Sequence, residues 1–168
     1  TRAVLVAQLF GCRADLQAIA AVCAGRQLLL IEDCAQAFDG VYAGHPDADV
    51  VLFSFGPIKT ATALGGAIVH IRDRAVRAQA AAIQSSYPRQ PTAAHLKRIL
   101  LFGLLKFLAL PLVFGWFVGI CRLVGIDYDQ LISRTGPRSR AGSLEERLRR
   151  RPSAALLTLL ARRLRQDH

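Results

Sequence analysis

Two stretches of this sequence have residue types that could do chemistry together: an apolar run that ends abruptly in carboxylates, and a lone cation in a loop rich in glycine. Leu28, Leu29, Leu30 and Ile31 lead straight into Glu32, Asp33, Cys34, Ala35, Gln36 and Ala37. In open α/β sheets ligands bind at the carboxyl ends of the strands, so Asp33 stands where a site is expected. A carboxylate there can hold a proton on a ring nitrogen. The plainer alternative is that Glu32 and Asp33 open a helix, where acidic side chains favour the positive end of the dipole. Gln36 has an equally plain alternative as a surface side chain. Lys59 is the only Lys or Arg between Arg26 and Arg72, in a loop that follows the apolar run 50–55 and contains Gly56, Pro57, Gly65 and Gly66. An amine held beside a buried site loses solvation and becomes a better Schiff-base former, against the alternative of a solvated loop lysine. Ser54, between Phe53 and Phe55, can offer its hydroxyl to a phosphate.

The elements that must position these residues are readable from periodicity. Residues 4–6 are β-rich, 15–22 form helix, and 28–31 are apolar again, which is a strand–helix–strand order. A crossover of that length makes the two strands parallel and predicts an α/β fold. Residues 50–53 and 67–71 are two further strands, with the Lys59 loop between them, where Gly and Pro exclude regular structure. Residues 72–85 form a helix closed by Ser85, Ser86, Tyr87 and Pro88. On this basis the chain divides into 1–88, 89–132 and 133–168: part of a ligand-binding α/β domain, an apolar helical segment and a basic helical tail. The absence of methionine and the start Thr1-Arg2 directly before a strand predict an internal piece of a longer protein.

The motifs Glu32-Asp33-Cys34-Ala35-Gln36-Ala37, then Asp49 to Lys59 with Ser54-Phe55 inside, then Gly65-Gly66-Ala67 resemble the consecutive motifs of DegT/StrS-type aminotransferases. Those read Glu-Asp-x-Ala-Gln-Ala, Asp-x-x-x-x-Ser-Phe-x-x-x-Lys and Gly-Gly-Ala. Leu9-Phe10-Gly11 also resembles the family's element before its helix, with Gln8 where a His is usual. The resemblance covers residues 3–85. It implies part of the large domain of a pyridoxal-phosphate-dependent, aspartate-aminotransferase-like fold. By the same resemblance Asp33 pairs with the pyridine nitrogen of pyridoxal 5'-phosphate, Gln36 lies against the ring, Ser54 contacts the phosphate and Lys59 is the Schiff-base lysine. The implied reaction moves an amino group, from glutamate, to a keto group of a nucleotide-linked sugar or similar cyclic ketone, in a homodimer. The family's upstream phosphate-binding turn and ring-stacking aromatic are absent here, so this chain alone is expected to bind the cofactor weakly and to turn nothing over. A non-catalytic homologue acting as a binding or regulatory protein is the alternative.

The rest of the chain has another character. Residues 1–71 carry four Lys/Arg against six Asp/Glu, and the remainder eighteen against six. Residues 99–121 contain a single charge, Lys106, and are split by Pro111 into pieces too short to cross roughly 30 Å of hydrocarbon as separate helices. With Lys97, Arg98 and Arg122 as flanks, this segment is open to three readings: a single kinked membrane span, contact with a membrane surface, or a pair of core helices. A polar loop is expected over 133–143, then a helix start at Ser143 to Glu146 and a final helix over 153–165. The arginines of the tail show no interleaved aromatic residues and no nucleic-acid fold, which argues for a solvated basic face over a nucleic-acid partner. The four cysteines lack Cys-x-x-Cys spacing and His partners, as expected of small buried side chains rather than metal ligands. No secretory leader opens the chain, so the cytoplasmic side is expected, with membrane association through 99–121 as the open alternative.

Overall fold

The computed structural model describes residues 1–127, 129–130 and 149–166. The loop expected over 133–143 and the helix start expected at Ser143 to Glu146 lie outside the described residues. In chain order the elements are β1 (Ala3–Ala7), α1 (Gln17–Gly25), β2 (Leu29–Asp33), β3 (Val50–Ser54), β4 (Ala67–Ile71), α2 (Arg74–Ser86), α3 (Thr92–Leu108), α4 (Pro111–Val124) and α5 (Ala154–Arg163).

The α/β expectation holds as a four-stranded mixed sheet in the order β1-β2-β3-β4. β1 and β2 are parallel, with Ala3 opposite Leu29 and Ala7 opposite Asp33, and β2 and β3 are parallel, with Ile31 opposite Val50. β4 returns antiparallel to β3, so that Ser54 faces Ala67. Asp49 ties three strands together. Its Oδ2 accepts the Leu30 N–H at 2.8 Å, its carbonyl accepts the Arg72 N–H at 2.9 Å, and the Arg72 guanidinium lies 3.7 Å from Oδ1.

Alternation along the strands decides what is buried. Leu30, Val51 and Phe53 point into a core completed by Phe55, by Ala20 and Cys23 of α1, and by Leu156 and Leu160 of α5. Fully burying one such Leu or Phe contributes about 1.5–3 kcal/mol. Phe38 meets Phe53 and Phe55 edge-on, at centroid distances of 5.8 and 5.1 Å. Helix α5 therefore packs back on the sheet region, and the Gln90 N–H reaches the Arg151 carbonyl at 2.8 Å. Cys23, Cys34 and Cys121 are buried as expected, whereas Cys12 is exposed in the turn after β1.

Capping follows the sequence. Asp73 Oδ1 accepts the Val76 N–H at 2.8 Å at the start of α2, and Ser153 Oγ accepts the Leu156 N–H at 3.2 Å at the start of α5. Pro111 takes the first position of α4, where its missing N–H costs nothing. Among the described residues no single helix is long and apolar enough to cross a membrane, and the α3–α4 pair bends by 83° at the break before Pro111.

Candidate functional site

The parallel pairing of β1, β2 and β3 brings three strand ends to one edge of the sheet. The loops that leave Ala7, Asp33 and Ser54 meet there around a cavity of about 370 Å³, lined among others by Phe10, Gln36, Phe38, Ser54, Ile58 and Lys59. Three of the four residues singled out in the sequence thus share one cavity wall.

Asp33, the fourth, ends β2 next to this cavity but is not among its lining residues. Strand alternation sends Asp33 to the face opposite Glu32. Its Oδ1 accepts the Ala35 N–H at 2.9 Å, its carbonyl accepts the Gln8 N–H at 2.9 Å, and no described residue donates to Oδ2. The chain does not open a helix here: residues 34–49 hold only turns, bends and irregular chain. Gln36 closes the far side. Its carbonyl accepts the Gly11 N–H at 3.0 Å and its side-chain oxygen accepts the Phe10 N–H at 3.3 Å, which ties the turn after β1 to the turn after β2. Phe10 and Gly11 both sit at positive φ, 55° and 79°, so the chain folds back sharply beneath Gln36.

The Lys59 loop is organised by Phe55, which is 1% exposed. The Phe55 carbonyl accepts the Ala63 N–H at 3.1 Å and the Gly65 N–H at 2.9 Å, while its own N–H reaches the Gly66 carbonyl at 3.0 Å. Within the loop the Lys59 N–H donates to the Gly56 carbonyl at 3.1 Å, making a turn that leaves the lysine side chain half-exposed at the cavity. Leu64 has φ 61°, a conformation an L side chain adopts at a cost of about 1 kcal/mol or more. Arg98 of α3 donates from Nη1 to the Leu64 carbonyl at 2.8 Å and holds that turn from outside.

Beneath the site lies a polar cluster that sequence reasoning left out. Glu32 is 0% exposed and points to the same side of β2 as Leu30. Its Oε1 accepts Gln8 Nε2 at 2.8 Å and the Tyr42 hydroxyl at 2.8 Å, and its Oε2 accepts the His45 N–H at 2.7 Å. Burial raises the Glu32 pKa. The hydrogen bonds from His45, Gln8, Tyr42 and Cys34 outweigh that and bring it below the ordinary carboxylate value, so Glu32 is ionised. The same burial and the neighbouring Glu32 charge push the Cys34 thiol up to about 12 and raise the Tyr42 phenol, so both stay protonated and donate. Gln8 completes the link, since its Oε1 accepts the Ala14 N–H at 2.9 Å. The signal was present in the alternation, because Glu32 falls in phase with Leu30. Arg13 braces the rim, 2.9 Å from Asp39 and stacked 4.7 Å from the Tyr42 ring centre.

The donor set fits a phosphorylated pyridine aldehyde. It offers one amine at the cavity wall, one hydroxyl at a strand end for the phosphate, and at the adjacent strand end a carboxylate whose Oδ2 has no donor among the described residues.

Comparison with known proteins identifies relatives of this chain. The model of the DegT/DnrJ/EryC1/StrS aminotransferase family matches residues 1–96. The chain is 35% identical over 77 residues to GDP-perosamine synthase of Escherichia coli O157:H7, covering 44% of this chain and 21% of that protein. Among solved structures, the aminotransferase TlmJ of Streptoalloteichus hindustanus is 32% identical at a TM-score of 0.45, over 53% of this chain and 25% of that one. An aminotransferase from Psychrobacter cryohalolentis is 26% identical at a TM-score of 0.47, over 52% and 23%. The chain spans between 21% and 25% of the length of these relatives.

Proposed function

The chain belongs to the DegT/DnrJ/EryC1/StrS aminotransferase family, and from that premise we propose that it supplies the lysine-bearing part of a pyridoxal-phosphate site that aminates a keto sugar. The observation that carries the proposal is the convergence of Gln36, Ser54 and Lys59 on one cavity at the carboxyl edge of the sheet. Bound pyridoxal phosphate would supply an electron sink for the carbon that loses a proton.

Each residue has a part set by its atoms. Ser54, at the end of β3, donates its hydroxyl to the phosphate. Asp33 would offer Oδ2 to the ring nitrogen and keep a proton there, with its Oδ1 fixed by the Ala35 N–H. Gln36, held by its bonds to Phe10 and Gly11, would lie against the ring. Lys59 would hold the cofactor covalently through Nζ. Its Nζ would also hold and return the proton, which is general acid–base work. Glutamate is the proposed donor, and a nucleotide-linked sugar the proposed acceptor class, in keeping with the relative named GDP-perosamine synthase.

The test is a spectral titration of the chain with pyridoxal phosphate, comparing Lys59→Ala with Lys97→Ala. Loss of the visible band at saturating cofactor only in Lys59→Ala supports the proposal; equal bands in both variants would refute it.

A further inference from the structure

The α3–α4 elbow has a surface that the aminotransferase reading does not use. The root of α3 is fixed to the body: His95 is 0% exposed, and Arg98 bonds to the Leu64 carbonyl. Beyond that root many apolar side chains turn outward. On α3 Leu100, Leu104 and Phe107 recur at helical spacing with Leu101 and Leu105 beside them, and on α4 Leu112, Trp116, Ile120 and Leu123 do the same. Leu100 is 72% exposed, Leu112 81%, Trp116 76% and Leu123 88%. On each helix the exposed apolar surface covers about half the circumference, a wider stripe than packing against one neighbouring helix needs. The family match ends at residue 96, within the first turns of α3, so the elbow beyond that root lies outside it.

Charge decides between the occupants such a surface could have. Between Asp73 and Asp127 the sequence has no acidic residue, and seven basic ones: Arg74, Arg77, Arg89, Lys97, Arg98, Lys106 and Arg122. Of these, Lys97, Lys106 and Arg122 are exposed on the elbow itself. A two-fold contact between copies through this face would set like charges against one another, with no carboxylate in the segment to pair them. An anionic bilayer surface offers both complements at once: acyl chains for the leucine and tryptophan face, and headgroups for the three cations. Neither arm spans by itself, since α3 and α4 are about 25 and 21 Å long, and the pair is bent by 83°.

We propose that the α3–α4 elbow seats this protein in the surface of an anionic phospholipid bilayer, with the exposed apolar faces of both helices in the acyl boundary and Lys97, Lys106 and Arg122 at the headgroups. This attachment is independent of the reaction at Lys59.

Trp116 is the only tryptophan and sits in the middle of the proposed contact, so it is a built-in reporter. The chain is mixed with vesicles of phosphatidylcholine containing about 30 mol % phosphatidylglycerol and, separately, with pure phosphatidylcholine vesicles. The expected result is flotation with the anionic vesicles, a blue shift of Trp116 emission and its quenching by brominated lipid. The triple variant Lys97→Gln, Lys106→Gln, Arg122→Gln is expected to partition on the order of a hundredfold more weakly at low salt. Failure to float, flotation that leaves Trp116 unmoved, or equal binding of the parent and the triple variant would overturn the proposal. So would Trp116 emission that is already blue without lipid and reddens on dilution, which would mean that a second copy covers the face.

Discussion

Glu32→Gln isolates the buried support of the site from the site itself. The substitution keeps size and shape but converts one acceptor oxygen into an NH2 group. If the remaining oxygen stays with Gln8 Nε2 and the Tyr42 hydroxyl, the new NH2 faces the His45 N–H, two donors where a 2.7 Å bond had been. One buried donor left unsatisfied costs about 1–3 kcal/mol, and the other two bonds lose the charged acceptor that made them stronger. The expected destabilisation is about 2–4 kcal/mol. Urea unfolding of parent and variant followed by far-UV circular dichroism measures it, and an unchanged slope would show that the loss lies in stability. A variant within about 0.5 kcal/mol of the parent would refute the reasoning, because Glu32 would then not be the ionised hub that the hydrogen bonds describe.

Other consequences follow from the same geometry. Gly44 has φ 105°, and an added Cβ would stand 2.5 Å from Val51 Cγ2, so Gly44→Ala is expected to destabilise by about 3 kcal/mol or more; a denaturation midpoint equal to the parent's would contradict this. Arg98→Ala removes the clamp on the Leu64 carbonyl and is expected to cost about 1–2 kcal/mol. It should accelerate amide hydrogen exchange at Ala63 and Gly65 more than in β2, and uniform exchange would disprove the clamp. Stability should fall with acid in two stages. Burial, aided by Arg98, lowers the His95 pKa from 6.5, so its contribution is complete above about pH 6.5 and is lost as pH falls below it. Glu32, lowered from 4.5, adds a second loss as pH falls through the range below that value. Urea midpoints at a series of pH values should show both stages, with His95→Leu flattening only the upper one.

Much of this architecture was legible because local signals agreed with one another. Asp73, Ser153 and Pro111 sit where capping rules put them, and the apolar runs at 28–31 and 50–53 became neighbouring parallel strands. The gathering of Gln36, Ser54 and Lys59 follows from that pairing, since parallel strands deliver their carboxyl ends to one edge. What could not be read was long-range. Gln8 looks like a departure from a motif, yet its carboxamide both donates to Glu32 and accepts from Ala14, a role visible only once β1 lies against β2. Arg98 reads as one of many arginines until α3 folds back on the Lys59 loop. Leu156 and Leu160 likewise enter the sheet's core from a segment that composition assigned to a basic tail.

The account turns on Lys59, and covalent trapping tests it most directly. The chain has three lysines, Lys59, Lys97 and Lys106, and the two outside the cavity are internal controls for non-specific reaction. Incubation with excess pyridoxal phosphate, reduction with borohydride and peptide mapping would show where the label settles, even if binding is weak. The expected result is a reduced adduct concentrated on Lys59; label spread evenly over the three lysines, or absent from Lys59, would contradict the proposed site.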